Sequence, residues 1–160
     1  MTLKKWSVFA LVGVLTAGSA ACSDDDDIEG PQAEVFVATL LGTEEPTTVV
    51  TNATGSARVE FTPTGLIYSV NVANLQNVTN AHIHGPAVSK VNSDVIIPLN
   101  PTLTVTNGVL AAGTATGPTT ARATVSMDSL KTMIRNGMAY VNVHNSANPG
   151  GHIRGQLVKQ

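Results

Sequence analysis

Charge is scarce in this chain. Asp, Glu, Lys and Arg make up 12% of its 160 residues, nine basic against eleven acidic. Nucleic-acid binders neutralise phosphates with a basic patch, and none is on offer here. Aromatic residues are scarcer still, at 4%, so most of them belong to the core rather than to a base- or sugar-stacking platform. One cysteine excludes an intrachain disulfide and any multi-cysteine zinc or iron–sulfur site. The low content of Glu, Lys, Leu and Arg also argues against a helical bundle. What is present is a 42% hydrophobic body with 14 Gly and 8 Pro. Apolar residues recur along almost its whole length, which excludes disorder, and the length suits one domain.

The opening residues have the order of a secretory signal. Lys4 and Lys5 precede an apolar run from Trp6 to Val14, then small residues up to Ala21, and then Cys22. The apolar run is shorter than the ~20 residues that span a bilayer. A cysteine at the end of such a segment resembles the lipobox of bacterial lipoproteins, whose cysteine is acylated, although Ser19 stands where that motif usually has Leu. The alternative is plain cleavage after Ala21, leaving a free thiol. Ser23 and the run Asp24–Asp27 resemble the export signal of surface-exposed lipoproteins in some Gram-negative bacteria, and also suit an extended, self-repelling spacer. The expectation is a signal peptide at 1–21, a lipidated cysteine with an acidic linker at 22–33, and one domain at 34–160. Its place would be outside the cytoplasm, anchored through lipid to the outer membrane and displayed at the surface.

Within the domain, short apolar-alternating runs are separated by turn residues at roughly ten-residue spacing, the pattern of an all-β sandwich or barrel. Strands are expected at Glu34–Leu40, Ala57–Phe61, Leu66–Val72, Val78–His84, Asp94–Leu99, Gly108–Thr116, Ala121–Val125, Met138–His144 and His152–Val158. One segment breaks the pattern. Leu130, Met133 and Ile134 stand at helical spacing, with Ser126 as N-cap and Gly137 as the stop. A short helix should therefore precede a C-terminal hairpin and cover one end of the sandwich.

All four histidines fall in two short segments. His82 and His84 share one strand face. If the hairpin closes through Asn145–Gly151 with His144 opposite His152, then Asn142 faces Arg154 and Tyr140 faces Gln156. One face then carries Val141, Val143 and Ile153, and is core. The other collects His, Asn, Arg and Gln. A one-residue slip would bury the polar set, so the register follows from the separation of faces.

These segments carry a family resemblance. Phe36–Pro46, Thr54-Gly55, His82-Ile83-His84-Gly85-Pro86-Ala87, Tyr140–His144, Asn148–Gly151 and Ile153–Leu157 resemble the CHRD domain, named for chordin and widespread in bacterial secreted proteins. The resemblance runs from about residue 34 to 158. It implies a single immunoglobulin-like or superoxide-dismutase-like β-sandwich, without an established activity. Two positions depart from the family pattern. His152 replaces a Glu, and the stretch after Ala87 lacks the glycines common there.

Histidine nitrogens suit copper and zinc, and a His-x-His pair joined by histidines of a neighbouring hairpin can supply three or four ligands. His82, His84, His144 and His152 are the metal candidates; Asn142, Arg154 and Gln156 are supporting or structural residues. The alternative places the same side chains on an outer sheet face, with His84-Gly85-Pro86 as a turn and Asn142 and Arg154 bonded to loops. No serine-hydrolase elbow, His-Glu-x-x-His or Walker loop occurs, and no catalytic residue is assigned. Glu44 and Glu45, just before Pro46, read as solvated charges. The reading that results is a binding or structural module of the cell envelope with an unidentified protein or glycan partner. A copper- or zinc-binding domain with redox activity is its alternative.

Overall fold

In a computed structural model, residues 33–117 and 125–160 are described. The signal segment, Cys22, the acidic linker and most of the strand expected at Ala121–Val125 lie outside the described residues. Among the described residues the chain is all β apart from one short helix and a single 3-10 turn, Gly42–Glu44. The strands are β1 (Val35–Leu41), β2 (Thr54–Phe61), β3 (Leu66–Ala73), β4 (Val78–His84), β5 (Val95–Pro98), β6 (Gly108–Ala115), β7 (Tyr140–Asn145), β8 (Ile153–Gln156) and β9 (Val158–Lys159).

Every strand pair is antiparallel, and the order is β5-β4-β7-β8-β1-β2-β3-β6, with β9 also on β1. The sheet nearly closes. Its two edges, β5 and β6, are joined by the segment 99–107, which bonds to both sides: Leu99 N–H donates to Ala81 O at 2.9 Å and Thr102 N–H to Leu110 O at 2.8 Å.

Alternation predicts the core correctly. In β3, Leu66, Tyr68, Val70 and Val72 are buried while Ile67 and Asn71 are exposed. The same period buries Phe36, Ala38 and Leu40 in β1 and Ala81 and Ile83 in β4. Each fully buried Leu, Ile or Phe contributes roughly 1.5–3 kcal/mol, so these inner faces carry most of the fold's stability. The strand expected over His152–Val158 is interrupted at Leu157, whose N–H turns to Ala139 O. Gly155 is required at that crossing, because a Cβ there would stand 2.1 Å from Thr39 O.

The helix α1 (Met127–Arg135) forms where expected. Ser126 Oγ accepts the Ser129 N–H at 3.1 Å, Gly137 takes φ +65° after the last turn, and Leu130 and Ile134 are fully buried. Lys131 is buried as well, its ammonium donating to Thr62 O at 2.7 Å. Among the described residues no helix is long and apolar enough to cross a membrane.

Candidate metal centre

Strands β4, β7 and β8 lie side by side, and the expected hairpin register is observed: Tyr140 opposite Gln156, Asn142 opposite Arg154, Val143 opposite Ile153. On β4, His82 lies opposite Asn142 and His84 opposite Tyr140. Residues two apart on a strand share a face, so His82, His84, Tyr140, Asn142, His144, Arg154 and Gln156 project from one side of these three strands, while Ala81, Ile83, Val141 and Val143 enter the core.

The polar side is not an open outer face. All six residues of β7 are buried, because two connections fold over it. One follows β1, where Gly42 O accepts the Val49 N–H at 2.9 Å and closes the loop that carries Glu45. The other is the segment 87–93 after β4. Glu45, expected to be solvated, is 3% exposed. The reason is its partner: Arg154, 2% exposed, donates from Nε to Glu45 Oε2 at 2.9 Å. Burial pushes the Glu45 carboxyl up from the usual range, against the pull of the guanidinium. Arg154 also donates to Asn92 Oδ1 at 2.6 Å and to Val91 O at 3.2 Å. Gln156 holds Ala87 O and Gly137 O. Asn142 is buried with its Oδ1 unpartnered.

Above this layer the topology brings together three of the four histidines. One ligand atom from each of His82, His84 and His144 lies within 4.8 Å of the others. His82 Nδ1 and His144 Nε2 are 3.2 Å apart, and two ligands of one ion at ~2.0–2.1 Å are about 3.3–3.5 Å apart. The tautomers are held from outside. Pro149 O accepts from His144 Nδ1 at 2.9 Å, and Ser93 O accepts from His84 Nδ1 at 2.9 Å. A carbonyl only accepts, so both protons sit on Nδ1, and Nε2 keeps a lone pair on each ring. The lone pair of His144 accepts from His82 Nδ1–H. His84 Nε2 is buried and has no partner.

Ser93 braces the ring twice. Its N–H donates to the Tyr140 hydroxyl at 3.1 Å, while Tyr140 stacks flat on His84, centroids 4.8 Å apart and planes 3° apart. Arg154 supports Tyr140 from below, its guanidinium carbon 4.3 Å from the ring centroid. All three imidazoles are held neutral. Burial first, then neighbouring imidazoles, pushes His82 down to about 4; burial dominates at His84, also about 4, and lowers His144. Neutral imidazole is the form that ligates metal.

His152 is placed apart from the three. Asn148 Nδ2 donates to its Nδ1 at 2.8 Å, and its Nε2 is 3.1 Å from Thr51 Oγ1. Both ring nitrogens are engaged, so His152 ties the loop after β7 to the loop before β2. A concavity of about 600 Å³ lies along these two loops, lined by Glu45–Val50, Asn92 and Ala147–Gly151. It contains none of the three clustered histidines and touches their site only through Pro149.

The sequence signature of the CHRD domain matches residues 36–157. The chain belongs to the CHRD family. No curated protein and no solved structure matches it significantly. The CHRD match fits a binding or structural module, and the histidines at 82, 84, 144 and 152 all lie inside it. Four residues of this CHRD domain that shape the site escaped the sequence reading: Glu45, Ser93, Tyr140 as a stacking partner, and Pro149. Two of these act through backbone carbonyls, which no side-chain pattern reveals. Glu45 was legible only as a charge beside Pro46.

Proposed function

We propose that this CHRD domain is a metal-binding module, taking copper or zinc at His82, His84 and His144. One observation carries the reading: His84 Nε2 is buried without a partner in the group where His144 Nε2 and His82 Nδ1 meet at 3.2 Å, while Ser93 and Pro149 hold the opposite nitrogens of His84 and His144. A histidine serving only the fold has its nitrogens satisfied, and a buried one left unpartnered costs about 1–3 kcal/mol. His84 Nε2 is left so. The donor set is three imidazoles without sulfur, which suits zinc and copper rather than calcium or magnesium.

The domain works outside the cytoplasm, tethered to the outer membrane through acylated Cys22 and displayed at the surface on its acidic linker. Support for that placement is the order Lys4-Lys5, apolar run, small residues, Cys22, Asp run. Intact mass of the exported chain tests it: a lipid adduct lost in Cys22→Ala supports the anchor, and an unmodified chain starting at Cys22 refutes it.

The metal reading is tested by loading the chain, free of any histidine tag, with copper and with zinc and measuring retained metal. The expected result is near one equivalent, falling to none in the His82→Ala/His84→Ala double variant. Retention unchanged by the double substitution, or no retention at all, overturns it. A domain that retains no metal is then a binding or structural module whose partner is protein or glycan.

A further inference from the structure

We infer that the loaded site keeps one coordination position open to solvent on its His82 side, and that this position takes a small anion. The inference rests on the metal reading above and adds to it the class of exogenous ligand.

The cluster offers few donors. Structural zinc sites are closed by four protein ligands, whereas three protein ligands leave a position for water or another small molecule. Among the described residues the group contains three histidines and no carboxylate or thiolate. The obvious fourth imidazole, His152, has both nitrogens engaged by Asn148 and Thr51. The buried carboxylate of the neighbouring layer, Glu45, is paired with Arg154 through Oε2 and has its Oε1 unpartnered, but it stands outside the group. Asp94 acts on His84 only through its field and stands outside the group.

Access to the cluster is one-sided. His84 and His144 are buried, at 7% and 8% exposure, and are backed by Tyr140, Ser93 and Pro149. His82 is half-buried. The approach from solvent therefore runs along the His82 ring, and the open position faces that way. The three rings stand 5.0 to 6.1 Å apart by centroid, a spacing that fits one ion between them.

Charge selects the ligand. Three neutral imidazoles leave the full charge of a divalent ion uncompensated, and a bound cation is then the largest local charge. The charge of Glu45 is balanced by the guanidinium of Arg154, and among the described residues no carboxylate stands in the group to neutralise the ion. A small anion, or hydroxide from bound water, does so.

Copper(II) and azide are suitable probes, because imidazole sites bind Cu(II) most tightly among the first-row divalent ions. The full chain is loaded with one equivalent of copper, washed, and titrated with azide while its visible absorption and electron paramagnetic resonance spectra are followed. The expected result is a new charge-transfer band and altered copper splitting, saturating at one azide per copper, in the native chain and equally in His152→Ala. Retained copper with spectra blind to azide overturns the open position and leaves the metal reading standing. A copper spectrum already changed by His152→Ala before azide also overturns it, by making His152 the fourth ligand. No retained copper overturns both.

Discussion

His144 and His152 stand at the two ends of one hairpin loop, yet the structure uses them in opposite ways. His152 has a partner on each ring nitrogen and joins two loops. His144 has its Nδ1 anchored to Pro149 and turns its Nε2 toward two more imidazoles. Both are buried to nearly the same degree. Burial therefore does not separate a structural histidine from a candidate ligand. What separates them is the kind of partner the second nitrogen has: a threonine hydroxyl at His152, another imidazole at His144.

The sharpest way to break that contrast is metal affinity. His144→Ala should lower copper affinity at least a hundredfold, whereas His152→Ala should leave it within a few-fold, as read by competition with a chelator. Equal losses in both variants would erase the distinction.

The next largest effect falls on the layer beneath both histidines. Arg154→Ala leaves the Glu45 carboxylate buried without its guanidinium, and should cost about 3–5 kcal/mol in chemical denaturation. It also removes the support under Tyr140, so the metal-loaded site should loosen. A cost under about 1 kcal/mol would show that Glu45 can reach solvent.

Without metal, the two ends should differ in stability in the opposite sense. His152→Ala deletes the Thr51 link between the two loops and the Asn148 contact within one of them, a cost of roughly 0.5–1.5 kcal/mol for each bond. His82→Ala, at a half-exposed ring, should cost less than this. A reversal of the order would mean that the cluster, and not the strut, holds the loops.

A further contrast is the pH dependence of the metal-free protein. His82 and His84 are pushed down to about 4 in the fold, from about 6.5. Between those values the unfolded chain binds more protons than the folded one. Their contribution is therefore complete above about pH 6.5 and is lost as pH falls toward 4. Glu45, raised by burial, works the other way and blunts the slope. Denaturation midpoints from pH 7.5 to 4.5 should decline, and the His82→Ala/His84→Ala variant should decline less. An unchanged slope would place these imidazoles in contact with water.

The sequence made the strands and the hairpin register legible because side-chain alternation is a local property with period two. Leu66, Tyr68, Val70 and Val72 need only their own spacing to name a buried face. The cap at Ser126 and the stop at Gly137 are equally local. The pairing of Asn142 with Arg154 followed as well, since the opposite register would have pushed a charge into the core.

What covers the polar face was not legible. Glu45 and Arg154 are 109 residues apart, and beside Pro46 a lone Glu looks like any loop charge. Only the return of the loop after β1 over β8 makes it a buried counter-ion. The four histidines likewise formed one set in the sequence, where they differ only in position. Sequence by itself determined the β architecture, the membership of the CHRD family and the strand face on which the histidines stand. The tertiary structure decided that three converge and one does not, because the partners that orient a ring, such as the carbonyls of Ser93 and Pro149, are backbone atoms placed by the fold.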